Sequence, residues 1–291
     1  MGINAVLLAG SGKTEDGRFL FRYDVALSLK TATQKTRQGG QDPVYYKITD
    51  TPHIAKVLMK RLLSHVNTKM ELPEYLARKT LERGHESGKD VVVMWSNKCK
   101  ATHKDIAYLE SSQEEANTKL LIHAVDATIS GATSIEIFSP DTDVFVLSIR
   151  RFPELCENTS FVTGRGHRNR KILLSPIVRA LRPARTAALP AFHAWSGADI
   201  TGSFAGKGKL ACWKAFLKAD KDSVNALADL GTTAQPTARA ITVIEKLVCQ
   251  LYQPKTLVSR VKDLRWLLFR KKQAQSERLP PMQAALKEAI L

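Results

Sequence analysis

The sequence has little cysteine and no hydrophobic stretch of membrane length. Its 291 residues include only four cysteines, which lie far apart and form no Cys-x-x-Cys or Cys/His cluster. This spacing argues against a zinc site or a disulfide framework and favours reduced thiols in the cytosol or the nucleus. No apolar run approaches the ~20 residues that a membrane helix needs.

The amino terminus also lacks familiar signals. MGINAVLLAGSGKT has neither the basic lead nor the long apolar core of a signal peptide, and Val6 does not fit the myristoylation pattern. GSGKT at 10–14 suggests a phosphate-binding loop, but the motif GxxxxGK[ST] requires glycine where the chain has Leu7. We expect a Gly-rich turn after a strand rather than a nucleotide-binding loop.

Positive charge is the strongest bulk property. Lys and Arg number 44 against 28 Asp and Glu, for a net charge of +16 at pH 7. Such an excess favours a polyanionic partner, most simply nucleic acid, although ribosomal and membrane-surface proteins share it. We expect DNA rather than RNA, no membrane, and a nuclear or cytoplasmic location.

The first half of the chain alternates strand-like and helix-like segments. VVVMWS at 91–96 is typical of a buried strand, and SSQEEANTKLLIHAVDATISGA predicts a helix that Ser112 caps and Gly131 ends. SIEIFSPDTDVFVLSI then predicts two strands broken at Ser139-Pro140. Strand, helix and strand in this order predict an α/β fold with a parallel, doubly wound sheet.

Helical patterns surround this core. HIAKVLMKRLLSHV at 53–66 predicts one helix, and LPEYLARKTLERGH predicts a second that Gly84 and Gly88 stop. The stretch after about Leu210 is helical in pattern to the end. The chain is therefore divided into an α/β core at 1–165, a basic connection and turn at 166–209, and a helical region at 210–291.

Several carboxylates lie at the ends of separate predicted elements. Such side chains can converge, and bound Mg²⁺ would relieve their repulsion, since Mg²⁺ prefers oxygen ligands and serves phosphoryl chemistry. The simpler interpretation is that the acidic pair 114–115 only complements a helix dipole and that DTD at 141–143 is a solvated turn. The candidate metal ligands are Glu114, Glu115, Asp141, Asp143 and Asp199.

A glycine- and lysine-rich turn adds a candidate phosphate site. FAGKGK at 204–209 places Gly206, Lys207, Gly208 and Lys209 just before the helix-like segment LACWKAF. Backbone N–H groups and lysines at such a turn suit a phosphodiester backbone. A plain turn at the start of a helix is the alternative.

Three of these stretches together carry a family resemblance. SSQEEANTKLLIHA, SPDTDVFVL and ALPAFHAWSGADITGSFAGKGK resemble the nuclease core of the flap-endonuclease branch of PIN-like proteins. More narrowly, residues 20–291 resemble transposon-associated animal proteins that carry this core. The resemblance implies a PIN-like parallel sheet flanked by helices, with a helical C-terminal region that contacts duplex nucleic acid.

The resemblance also implies site residues. Glu115, Asp141, Asp143 and Asp199 match positions that hold two Mg²⁺ or Mn²⁺ ions, with Glu114 as a nearby reserve. The turn Gly206–Lys209 matches a stretch that leads into a helix-turn-helix gripping a DNA strand. RYDVALSLKTATQKTR matches a basic segment that meets the scissile phosphate region, through Lys30, Lys35 and Arg37.

The sequence departs from the family pattern in its first half. Ala9 and Gly10 stand where the family has the aspartate of its first strand, Phe21 stands where it has a second aspartate, and Gln113 replaces a helical glutamate. Two hypotheses therefore remain open. One is a Mg- or Mn-dependent endonuclease or exonuclease with weak or lost activity; the other is a non-catalytic nucleic-acid-binding or interaction module on the same fold.

Overall fold

The chain folds into two compact units, Met1–Ser175 and Pro176–Leu291. A computed structural model describes residues 3–8, 44–50, 65–95, 98–103, 106–109, 116–164, 166–198, 202–232, 235–271 and 278–288. The division falls inside the predicted connection 166–209. Helices alternate with small sheets of mixed strand orientation, which confirms the α/β class. None of the described helices is both long and apolar enough to cross a membrane.

The N-terminal unit contains all of the described strands. Its elements in chain order are β1 (Ile3–Leu8), α1 (Val66–Glu86), β2 (Val92–Trp95), β3 (Lys98–Ala101), α2 (Ala116–Ile129), β4 (Ala132–Phe138), α3 (Thr142–Arg151), β5 (Asn158–Thr163) and β6 (Arg170–Leu173).

The larger sheet has the strand order β1-β4-β5-β6. β4 pairs in parallel with both β1 and β5, while β5 and β6 are antiparallel. Among the described strands, the predicted parallel sheet is therefore found for three strands and is extended by one antiparallel strand. Ile135 and Ile137 of β4 are fully buried, as are Leu120 and Ala124 of α2, which packs against β1 and β4. The core of the unit lies between this helix and the sheet.

The strand VVVMWS belongs to a different sheet from the one expected. β2 pairs with β3 in an antiparallel two-stranded sheet, with Met94 opposite Cys99. Val93 is fully buried against α1, where it packs with Ala77. An apolar run shows that a strand is buried, but it does not specify the neighbouring strand.

Gly84 does not end α1 as expected. The helix continues to Glu86, and Gly88, with a φ of +63°, follows its end. A Cβ atom at Gly84 would lie 2.8 Å from methyl carbons of both Thr102 and Val91. Gly84 therefore allows the helix to approach the β2–β3 sheet closely.

The segment DVFVLSI is a helix, not the second strand that was expected. Its β-branched and aromatic residues favour a strand, but Asp141 caps a helix that begins at Thr142. Val144, Ser148 and Ile149 are buried, and α3 packs against α2. The phenyl ring of Phe145 contacts that of Phe161 on β5, with 5.0 Å between the ring centroids. Packing and the helix cap together outweigh the strand preference.

The described elements of the C-terminal unit are helices, as predicted for the region after Leu210. They are α4 (Leu174–Trp195, which begins at the unit boundary), α5 (Lys209–Lys218), α6 (Lys221–Asp229), α7 (Ala238–Tyr252), α8 (Val261–Arg270) and α9 (Gln283–Glu288).

Helix α7 is central to the C-terminal unit. It contacts α5, α6, α8 and α9, and it buries Ile244, Leu247 and Val248. Helix α4 is interrupted at Arg182, whose φ of 63° and ψ of 160° are not helical. Arg182 precedes Pro183, and the proline ring disfavours the helical conformation of the residue before it.

Candidate functional site

Asp141 and Asp143 lie just beyond the carboxyl end of β4. The backbone N–H of Asp141 donates to Ser139 Oγ at 3.1 Å, and that of Asp143 donates to Asp141 Oδ1 at 2.9 Å. Asp141 is thus the N-cap of α3, and Asp143 lies in its first turn, where a negative charge complements the helix dipole. The helix cap therefore gives one of the two carboxylates, that of Asp141, a local structural role.

The position of these aspartates also suits a site in an α/β protein. β4 lies between two parallel neighbours, and Leu8, the last residue of β1, pairs with Phe138, the last residue of β4. In open α/β sheets, ligands bind outside the carboxyl ends of parallel strands. Asp141 and Asp143 therefore follow the strand end where such a site would form.

The described residues include only part of the predicted set of metal ligands. No group of three His, Cys, Asp or Glu side chains placed to hold a metal ion occurs among them. Mg²⁺ is often held by only one or two carboxylates together with substrate phosphate oxygens. Asp141 and Asp143 are the two predicted ligands that the structure describes, and Asp141 Oδ1 already accepts the cap hydrogen bond.

The other predicted carboxylates and the predicted basic segment lie outside the described residues. The same is true of the positions where the family pattern is broken. These residues are Ala9, Gly10, Phe21, Lys30, Lys35, Arg37, Gln113, Glu114, Glu115 and Asp199.

The predicted phosphate turn is described completely. Gly206 has a φ of +68°, a conformation that strongly favours glycine, and Lys207 N–H donates to Phe204 O at 2.9 Å. Gly208 is the N-cap of α5, and its carbonyl accepts from the N–H groups of Ala211 and Cys212. The Gly-rich stretch therefore forms a tight turn that opens directly into a helix.

Contacts from distant parts of the C-terminal unit hold this turn. Tyr252, at the end of α7, donates from Oη to Ala205 O at 3.0 Å, and its ring lies 5.2 Å from Lys207 Nζ. Burial raises the pKa of Tyr252 to about 12, so its hydroxyl is a donor at neutral pH. Lys209 Nζ donates to Gly197 O at 2.9 Å, which joins the turn to the residues after α4.

A depression of about 520 Å³ lies at this turn. Cβ atoms built at Gly206 or Gly208 would meet no atom within 4 Å, so the backbone there is open to an approaching group. The residues that line the depression are Ser196, Gly197, Ala198, Ser203, Phe204, Gly206, Lys207, Gly208 and Lys209.

The sequence pattern indicates the turn but not the distant residues that support it. Tyr252 lies 47 residues from Ala205, and Gly197 lies 12 residues from Lys209. Neither pair has a local motif that could have indicated the contact. The apolar periodicity of α7 predicts its buried face but not which loop its last residue will contact.

Positive charge is concentrated in the unit that contains the turn. The C-terminal unit has 19 Lys and Arg residues and eight Asp and Glu residues, a net charge of +11 out of the chain's +16. The unit is therefore strongly basic, and a polyanion would be attracted to it.

No protein-family model, curated protein or solved structure matches the chain. A function is therefore supported by the geometry of the two aspartates after β4 and of the turn Gly206–Lys209.

Proposed function

We propose that this protein binds nucleic acid through the phosphodiester backbone at the turn Gly206–Lys209. The observation that carries the proposal is the geometry of that turn, which begins helix α5, carries two lysines and faces an open depression. Helix starts present backbone N–H groups and a positive dipole end to anions. The net charge of +11 in the same unit adds attraction that does not depend on base sequence.

Gly208 provides a steric test of the proposal. Its φ of −71° is ordinary for any residue, and a Cβ atom there would protrude into open space. Gly208→Ala should therefore still fold, with the small loss of stability that alanine causes at an N-cap, and should weaken binding, since the methyl group would occupy space that a phosphate needs. Gly202→Ala is the matched control, because Gly202 is equally open but does not line the depression.

Binding can be measured by fluorescence anisotropy with a labelled DNA duplex. We expect Gly208→Ala to bind at least about tenfold more weakly, which corresponds to ~1.4 kcal/mol, with Gly202→Ala close to the wild type. Equal affinities for all three proteins would show that the turn does not contact the backbone. Melting temperatures of the variants would show that both are folded.

Salt dependence tests the nature of the contact. Phosphate contacts release counterions, so binding should fall steeply with salt concentration. Lys207→Ala should reduce the slope of log K against log salt by about one, whereas Lys287→Ala, which removes an exposed lysine of α9, should leave the slope unchanged. Binding that barely weakens from low to high salt would contradict the proposal.

A metal-dependent nuclease is the second candidate function. Asp141 and Asp143 support it, because they follow the middle one of three parallel strands, where ligands of α/β sheets bind. On this proposal the N-terminal unit is a PIN-like core of the flap-endonuclease branch. Bound Mg²⁺ or Mn²⁺ would activate water and stabilise the leaving oxygen, and the two aspartates would help to hold it.

The structure determines which substitution tests this activity fairly. Asparagine is as good an N-cap as aspartate, so Asp141→Asn removes the charge and keeps the acceptor for Asp143 N–H. Cleavage of branched or single-stranded DNA with Mn²⁺ should be lost in the double variant Asp141→Asn, Asp143→Asn, with DNA binding retained. Equal background cleavage by both proteins would leave the non-catalytic binding function alone.

A further inference from the structure

Helix α8 carries an exposed face that mixes aromatic and basic side chains. Trp266 is 64% exposed and Phe269 is 58% exposed, although such side chains are usually buried. Lys262 and Arg270 are also exposed, and at 3.6 residues per turn all four residues fall within about 100° of the helix circumference. We call these four residues, Lys262, Trp266, Phe269 and Arg270, the α8 outer face.

The opposite side of α8 is fixed to the body of the unit. Val261 and Leu264 are fully buried, and Leu268 is nearly so. The N–H of Val261 donates at 2.9 Å to Oε1 of Glu245, a buried carboxylate of α7. Arg265 donates to the carbonyl oxygen of Pro280. The outer face therefore belongs to a helix that is anchored along its length, which makes it a rigid platform.

We propose that the α8 outer face binds unpaired nucleotides of a nucleic acid, with bases stacked on Trp266 and Phe269 and phosphates near Lys262 and Arg270. This proposal rests on nucleic-acid binding as the proposed function and specifies the form of the strand. Aromatic stacking combined with cations is the usual way in which proteins hold single strands.

The geometry favours single strands over a duplex. Only unpaired bases present their flat faces to a side chain, whereas a duplex presents phosphates and base edges. Trp266 and Phe269 are three residues apart, so their side chains emerge next to each other on the helix surface. Neighbouring bases of one strand could therefore meet both rings.

Charge places the strand on one side of the helix. Lys262, Arg270 and the following Lys271 are exposed, and none of the described residues forms an ion pair with them. Asp263, which directly follows Lys262, is exposed at the edge of this face and would repel phosphates there. A membrane-surface helix is the alternative for a basic and aromatic face, but the continuous apolar side of α8 is buried within the unit.

The test compares two ligands on the full chain by fluorescence anisotropy: a labelled oligothymidylate and a labelled duplex of equal length. Trp266→Ala and Phe269→Ala should each weaken binding to the single strand by about tenfold and leave duplex binding unchanged. Trp266→Tyr should restore most of the affinity, because it retains a stacking ring. Leu257→Ala is the control, since Leu257 is fully exposed outside the helix.

Quenching of tryptophan fluorescence gives a second measurement. Bases that stack on Trp266 should quench emission, and Trp266→Phe should lose that quenching while binding persists. Unchanged single-strand affinity in the double variant Trp266→Ala, Phe269→Ala would overturn the proposal. Binding to phosphatidylserine vesicles tests the membrane alternative, and a double variant that lost only vesicle binding would also overturn the proposal.

Failure of the two proposals can be told apart. If Gly208→Ala weakens duplex binding and the α8 variants change nothing, the turn binds phosphate and the α8 outer face does not bind bases. If the α8 variants weaken single-strand binding and Gly208→Ala changes nothing, the proposal for the α8 outer face is supported and the proposal for the turn is wrong. A wild-type chain that binds neither ligand overturns both.

Discussion

The backbone N–H of Asp143 donates to Oδ1 of Asp141 at 2.9 Å, so the two aspartates after β4 are joined as the cap of one helix. Both side chains are half-buried, and Ser139 holds the backbone of Asp141 in turn. Any role that these carboxylates have in binding a metal is therefore combined with a role in starting α3.

The cap predicts different effects of two substitutions at Asp141. Asp141→Ala removes the acceptor for Asp143 N–H and should cost about 1 kcal/mol more in the free energy of unfolding than Asp141→Asn. Urea denaturation followed by circular dichroism measures the difference. Thr142→Ala, at an exposed neighbouring position, serves as the control. Equal stabilities of the Ala and Asn variants would show that the cap is not formed in solution.

We expect Gly84 to be an exception to the usual stabilising effect of replacing glycine by alanine inside a helix. Alanine normally stabilises a helix interior by about 1 kcal/mol relative to glycine. Here the added Cβ would lie 2.8 Å from methyl groups of Thr102 and Val91, and overpacking of this kind costs about 1–3 kcal/mol. Gly84→Ala should therefore lower the melting temperature. A rise in that temperature would mean that α1 does not approach the β2–β3 sheet so closely.

We expect Asp220 to make part of the stability of the C-terminal unit depend on pH. It caps α6 by accepting from Ser223 N–H at 2.8 Å, and Lys246 Nζ lies 3.0 Å from its other oxygen. Hydrogen bonding from Ser223, with the Lys246 ammonium, lowers the pKa of Asp220 to about 2. Because the folded-state pKa is the lower one, this stabilisation is present above pH 3.8 and is lost as the pH falls towards 2.

Asp220→Asn isolates the contribution of the charge, since asparagine keeps the cap. Near neutral pH the wild type should be more stable by less than about 1 kcal/mol, because the ion pair is partly exposed. The difference should disappear on acidification, as measured by urea denaturation at several pH values. A difference that is constant down to strongly acidic pH would contradict the assignment.

Substitutions at Glu245 should show how much its hydrogen bonds contribute to anchoring α8. Its side chain is only 3% exposed and accepts from Val261 N–H at 2.9 Å and from Gln283 Nε2 at 3.2 Å. Glu245→Ala leaves the buried N–H of Val261 without this acceptor and should cost about 2 kcal/mol in unfolding free energy. Glu245→Gln keeps an acceptor oxygen and should cost less, and Glu288→Ala, at an exposed carboxylate of α9, should have little effect.

The sequence predicted well those features that depend on neighbouring residues. The strand before Ser139, the helix that ends before Gly131, and the turn that leads into α5 all occur where their patterns placed them. Alternating or helical spacing of apolar residues, together with glycine at turns, is local information. Such information determined where elements lie and which of their faces are buried.

Only the tertiary structure decided the features that depend on distant residues. DVFVLSI is apolar enough for a strand, and its packing on α2 and Phe161 makes it a helix. Glycine is common where helices end, but Gly84 lies inside α1, where its missing side chain allows close packing against Val91. The support of the lysine turn by Tyr252 likewise required the folded chain. The sequence by itself determined the net charge, the turn and the position of the aspartates after a strand. The distant contacts that hold the turn were decided by packing, because short apolar runs do not specify what they pack against.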